Sequence, residues 1–233
     1  GERRLWKRTP EEMDIIRKYS WLHTELLPYI YHYVVSAHKG GRRLQTPIKI
    51  GKYQYLFGDD FLIVPIYRDS QIREVVLPDG QWRYFFDDRE VLEGPSAIER
   101  SFSLEEYPVY VKEGAIVPLD VKRAYTGLGD YTSKGYVTVL MYPKGSNSFT
   151  YFQPDTLEET HISYEQEKNG LRVFLEGNTI PHILRIHSER KPKKVSLNNR
   201  EVDAESWNYN RIENKIIIKT RADQGKITYA IVF

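Results

Sequence analysis

Five pairs of adjacent acids stand in the sequence, at Glu11-Glu12, Asp59-Asp60, Asp87-Asp88, Glu105-Glu106 and Glu158-Glu159. Two carboxyl groups can cleave an acetal when they face each other across the bond, ~5–5.5 Å apart for retention and ~6.5–9.5 Å for inversion. Adjacent residues cannot easily do this. On a strand they point to opposite faces, and on a helix of 3.6 residues per turn they diverge by ~100°. Asp59-Asp60 follows Gly58 and precedes an apolar run, which suits a loop fixed by side-chain-to-backbone hydrogen bonds. The six histidines, His23, His32, His38, His161, His182 and His187, show no His-x-His pair and no carboxylate at ligand spacing. Gly127-Leu128-Gly129 lacks the third glycine and the following helix of a dinucleotide fingerprint. With no cysteine, thiolate metal sites and cysteine nucleophiles are excluded. The sequence therefore nominates no catalytic, cofactor-binding or metal-ligating residue.

The elements that would carry any such groups are mostly strands. Of 233 residues, 40% are hydrophobic and 28% charged, which describes a chain able to bury a core. A net charge of +2 excludes a nucleic-acid binder resting on excess positive charge. The basic clusters Arg42-Arg43 and 190–194 then read as solvated faces. No apolar run approaches the ~20 residues needed to span a bilayer, and nothing identifies a compartment. Eighteen tyrosines, nine phenylalanines and four tryptophans suit β-structure first and flat-faced ligands such as sugars second. Residues 1–8 (GERRLWKR) lack a signal-peptide core and an initiator Met, so a piece of something longer is expected.

One long helix opens the chain. Thr9, Pro10 and Glu12 form a capping-box start, and apolar residues recur at helical spacing from Ile15 to Val34. The helix is expected over Pro10 to His38, kinked at Pro28 and stopped by Gly40-Gly41. Trp21, Leu27 and Tyr31 lie off the main stripe, so it should pack on more than one side. After Gly51 short β-rich runs take over. Pro78-Asp79-Gly80 reads as a hairpin turn, residues 121–135 as a linker, and Lys168-Asn169-Gly170 and Asn198-Asn199 as further turns. Strands at this spacing argue for β-sandwiches.

The segments LHTELLPYIYHY (22–33), YLFGDDFLIVPIY (55–67), VVLPDGQWRYFFDD (75–88) and PVYVKEGAIVPL (108–119) stand in that order. Together they resemble the carboxyl-terminal third of family 31 glycoside hydrolases, the α-glucosidase and α-xylosidase group. The likeness is clear to Leu119 and fainter through YPKGSNSFTYF (142–152). It implies a mainly β fold: two consecutive antiparallel β-sandwich domains preceded by a long α-helix that is a remnant of a (β/α)₈ barrel. The implied divisions are 1–50 for the barrel remnant, 51–120 for a proximal sandwich, 121–135 for the linker and 136–233 for a distal sandwich. Both catalytic aspartates of the family would precede Gly1. Two departures stand out: only Lys49 to Lys52 remain of the family's acidic loop before FGDD, and Phe152-Gln153-Pro154-Asp155 replaces its acidic, Gly-ending turn.

The resemblance implies the non-catalytic end of a retaining α-glycoside hydrolase that stabilises the barrel and borders its cleft. An α-linked oligosaccharide would be the substrate of the intact parent, and neither nucleic acid nor membrane is an expected partner. The alternative is a stand-alone carbohydrate-binding β-sandwich with Trp82 and Trp207 as stacking platforms; a third is an interaction module with no sugar role. The long helix discriminates, because a free-standing binding module does not need one that is apolar on several sides. Its stripe predicts either self-association or folding back onto the first sandwich.

Overall fold

The computed structural model describes residues 4–68, 70–178, 180–203, 205–221 and 225–233. Of the opening segment, residues 1–3 lie outside the described residues, and Leu5–Lys7 form one 3₁₀ turn. Helix α1 spans Pro10–Glu25 and α2 spans Leu27–His38. The start is the expected capping box: the Glu12 amide donates to Thr9 Oγ1 at 3.2 Å, and the Thr9 amide donates to the Glu12 carboxylate at 2.9 Å. The expected single helix is divided at Leu26. Pro28 has no N–H to offer the Thr24 carbonyl, so one rung of the ladder is missing. Bonds from the Leu26 amide to Leu22 and from the Ile30 amide to Leu26 still carry the rod across the break.

The first sheet is built from β1 (Gln45–Pro47), β2 (Tyr55–Phe57), β3 (Phe61–Ile63), β4 (Ile72–Tyr84), β5 (Asp87–Ser101) and β6 (Val109–Lys112), in the order β1-β2-β3-β6-β4-β5. All its pairings are antiparallel. Pro78-Asp79-Gly80 is not the hairpin turn that its composition predicts. It lies inside β4, where pairing steps from Leu77↔Ser96 to Gly80↔Gly94, one residue more on β4 than on β5. That is a β-bulge, which a positive φ at Gly80 permits. The Trp82 indole N–H closes it by donating to the Pro78 carbonyl at 2.9 Å. The chain reverses instead at Phe85-Phe86, between the paired Tyr84 and Asp87.

The second unit is a two-sheet sandwich. One sheet holds β7 (Ile116–Leu119), β8 (Val137–Met141), β12 (His182–His187), β15 (Trp207–Asn210) and β16 (Lys215–Thr220), ordered β15-β16-β12-β8-β7. The other holds β9 (Ser146–Phe152), β10 (Glu159–Glu167), β11 (Gly170–Gly177), β13 (Lys194–Leu197), β14 (Arg200–Glu201) and β17 (Ile227–Val232), ordered β14-β13-β17-β11-β10-β9. Pairing is antiparallel except between β8 and β12, which run parallel. Residues at period two (Ile162 and Tyr164, Val173 and Leu175, Tyr229 and Ile231) fill the core from one side; Val139, Leu184, Ile186, Ile216 and Ile218 fill it from the other. Asn198 and Asn199, both at positive φ, make the two-residue turn between β13 and β14.

Two expected boundaries move. Ile116–Leu119, placed by the sequence within 51–120, pairs with β8 and so belongs to the second sandwich. The 121–135 stretch is not a loose linker. Val121 and Ser133 are buried, the Thr126 hydroxyl donates to Glu25 at 2.6 Å, and Trp21 packs on Tyr125. Its polar, glycine-containing composition matches that of a solvated loop, and only contacts from distant helices show that it is docked. Among the described residues no helix is long and apolar enough to cross a membrane.

Candidate functional site

Two clusters deserve a functional reading, and both form where α1–α2, the first sheet and the sandwich meet. The first centres on Tyr29 of α2, which is fully buried. Its ring packs against Phe61 at 5.3 Å and Phe149 at 5.7 Å between centroids, so one residue joins the helix to both β-units. Its hydroxyl donates to the Asp60 carboxylate at 3.1 Å and accepts from the Asp60 amide. The Asp59 amide donates to the Tyr33 hydroxyl at 2.9 Å. The Asp59-Asp60 pair thus fixes a loop, as its position suggests, through two tyrosines one helical turn apart, while the Asp59 carboxylate pairs with Arg42. Burial, with the Asp59 charge adding to it, pushes the Asp60 carboxyl up to about 7. Gly58 completes the arrangement. It has φ +65°, and a Cβ there would stand 2.0 Å from the Tyr29 hydroxyl. Gly58→Ala is expected to cost about 2–5 kcal/mol, combining a left-handed backbone and overpacking. Thermal melts of the two proteins give the difference.

Beside this hub the surface is hollow. Tyr19, Leu26 and Ile30 on the helices, with Tyr55, Phe57 and Tyr107 opposite, line an apolar depression of about 170 Å³, and none of these six is fully buried. The expected stripe is therefore split by depth. Leu22 and Tyr33 are buried, whereas Leu26 and Ile30 remain in the half-open hollow.

The second cluster lies between the first sheet and the sandwich. Pairing jumps from Asp87 to Leu92 on β5, which loops residues 88–91 out of the ladder. Asp88 is carried towards β8 and β16, where it accepts from the Tyr142 hydroxyl at 2.8 Å and pairs with the Lys215 ammonium. Arg83 pairs with Glu113 and donates to the carbonyls of Asp88 and Arg89. His187 stands 4.0 Å from Asp88 but does not form an ion pair. Burial, then the Lys215 and Arg83 charges, push its imidazole down to about 4. Burial also raises the Tyr142 phenol well above its usual value, so it stays a donor.

The other acids serve locally. Glu12 caps α1, Asp87 holds Arg89, and Glu106 accepts from Ser103, Tyr84 and Arg100. His182 is bound by the Ile180 carbonyl and the Tyr229 hydroxyl. Trp82 is 2% exposed, so it offers no open stacking face, and Trp207 is half-buried at the sandwich core. No group of three or more His, Asp or Glu arranged to hold a metal occurs among the described residues.

Residues 41–117 match the glycosyl hydrolase family 31 C-terminal domain. Across that stretch the chain is similar to the C-terminal portion of glycosyl hydrolase family 31 enzymes. Over 180 residues it is 29% identical to an alpha-xylosidase of Saccharolobus solfataricus, a match covering 72% of this chain and 24% of that protein. It is 28% identical to alpha-glucosidase 2 of Bacillus thermoamyloliquefaciens, over 82% of this chain and 27% of that one. The chain thus spans about a quarter of the length of these curated relatives. A Flavobacterium johnsoniae GH31 dextranase, complexed with glucose, shares the fold across 100% of this chain and 34% of its own, with a TM-score of 0.87 at 22% identity. These comparisons support the sandwich architecture and the C-terminal domain of the α-glucosidase and α-xylosidase type.

Proposed function

We propose that this chain is the non-catalytic C-terminal region of a retaining α-glycoside hydrolase, which stabilises the catalytic barrel and borders its cleft. In this reading residues 1–50 are the closing segment of that barrel, and the parent acts on an α-linked oligosaccharide. The hollow formed by Tyr19, Leu26, Ile30, Tyr55, Phe57 and Tyr107 carries the proposal. Half-open aromatic and aliphatic side chains grouped on one face are what a helix-and-sheet surface leaves when a further apolar layer belongs on it. Burying one such side chain contributes roughly 1.5–3 kcal/mol, so covering several would hold a barrel firmly. The lengths of the relatives are consistent with such a layer, since the matched part is a quarter of each.

The test has two arms. The isolated chain is expected to release no nitrophenol from aryl α-glucoside or α-xyloside above a heat-killed control, and turnover that survives repurification would overturn the non-catalytic reading. In light scattering, the uncovered hollow is expected to drive self-association that the triple change Leu22, Leu26 and Ile30→Gln abolishes. If the parent chain is already monomeric, the same change should lower its melting temperature by several degrees through loss of the Leu22 contacts. No change in either mass or melting temperature would remove the hollow from the argument for docking.

A further inference from the structure

We propose that the cleft between the two β-units is a non-catalytic binding site for a neutral saccharide of one or two pyranose units. The cleft holds about 500 Å³ and lies where the first sheet, α1, the 126–128 loop and the β15–β16 hairpin converge. That size and that position between packed units are ordinary for a small-molecule site.

The chemistry of its lining selects the ligand. A pyranose has apolar C–H faces and a rim of hydroxyls, each able to donate and to accept. On the polar side the cleft presents three carboxylates, Asp87, Asp88 and Glu213, and four cations, Lys18, Arg89, Arg185 and Lys215. Each carboxylate is paired with a cation, Asp87 with Arg89, Asp88 with Lys215 and Glu213 with Arg185, so the lining carries a single cation in excess, Lys18, which lies over the Phe86 ring. Donors and acceptors so nearly balanced favour a polyol over an ion. Arg185 supplies the second observation. Its Nε is buried and has no acceptor among the described residues, an unmet donor on a residue of the cleft lining.

The apolar side is as informative. Ile212, at the tip of the β15–β16 hairpin, is 88% exposed and yet lines the cleft, and Phe86 lines it too, its face covered by the Lys18 ammonium at 4.7 Å. An isoleucine held in water beside a charged cleft gains little from the fold itself. It would gain from covering the C–H face of a sugar whose rim meets Glu213 and Arg185. Locking the two β-units together needs Asp88 and Lys215, but it does not need Ile212. The cleft shares only Phe85 with the hollow beside α1 and α2, so its failure to bind would leave barrel docking standing.

The full chain, isotope-labelled, is titrated with maltotriose and with isomaltotriose, followed by amide shifts. Saturable shifts are expected for 126–128 and 212–215 with at least one trisaccharide, unchanged at high salt because the ligand is neutral. Glu213→Gln and Ile212→Ser are each expected to weaken binding about tenfold, the loss of one charged hydrogen bond or one apolar contact. Ile212 is so exposed that the melting temperature of Ile212→Ser should stay put, which separates lost binding from lost folding. The inference is overturned if neither sugar shifts these residues, if shifts map elsewhere, if salt abolishes binding, or if both variants bind as tightly as the parent.

Discussion

Asp88→Ala is expected to lower stability by about 3–5 kcal/mol, the penalty of leaving a buried ammonium without its partner. Lys215 is nearly buried, and Asp88 is its one ion-pair partner among the described residues. Burial lowers the Lys215 pKa while the Asp88 charge raises it, so removing Asp88 drives it lower still. The pH dependence follows in sign. A lysine whose folded pKa lies below its unfolded value carries fewer protons folded than unfolded, so stability rises with pH up to the unfolded value near 10.4. The deficit of the alanine variant should therefore shrink as pH rises from 7 towards 9.5. Replacing both partners with apolar residues, Asp88→Leu with Lys215→Met, should recover most of the loss. Urea melts at three pH values decide this. A variant as stable as the parent at pH 7 would mean that the two units are held by packing alone.

Asp60→Asn should act in the opposite direction. The folded carboxyl titrates at about 7, against an ordinary unfolded value near 3.9. Between these the folded chain keeps a proton that the unfolded chain has released, so the parent loses stability as pH rises from about 4 to 7. Asparagine removes that slope and still accepts from the Tyr29 hydroxyl. At pH 8 the variant should be the more stable by up to about 4 kcal/mol, while at pH 4 the two should nearly coincide. Equal stability at pH 8 would show that the carboxylate is solvated after all. Tyr29→Phe provides the control, since it deletes the shared hydroxyl and leaves the ring contacts in place.

How much of this could be read from residues alone differs by element. The capping box at Thr9 and the Asn198-Asn199 turn involve groups within three residues of one another, and both form as expected. The interior strands announced themselves through alternation, as in Ile162 and Tyr164 or Val173 and Leu175. Strand β5 did not. Asp87–Ser101 is an edge strand with no fully buried residue, so polar and apolar positions carry no clear period. Pro78-Asp79-Gly80 reads as a turn because a bulge and a turn draw on the same residue types. The charged cluster was harder to see. Asp88 and Lys215 are 127 residues apart, and the local signal was only a lysine ahead of the buried Ile216. Of the adjacent acids, Glu12 caps its own helix, whereas Asp60 and Asp88 bind partners far along the chain.

The long reach of α2 has a consequence for synthesis. His32 donates from Nδ1 to the Thr150 carbonyl at 2.7 Å, 118 residues further along, and Tyr29 stacks on Phe149. A ribosome adding roughly 5–20 residues per second takes about 6–24 s to bridge that interval. Throughout this time the aromatic side of the helix has been made and its cover has not. The newborn segment must then wait with Tyr29 and His32 unshielded from the strand that will bury them. That wait is the period in which a chaperone, or an upstream layer already folded, would matter most for the yield of this chain.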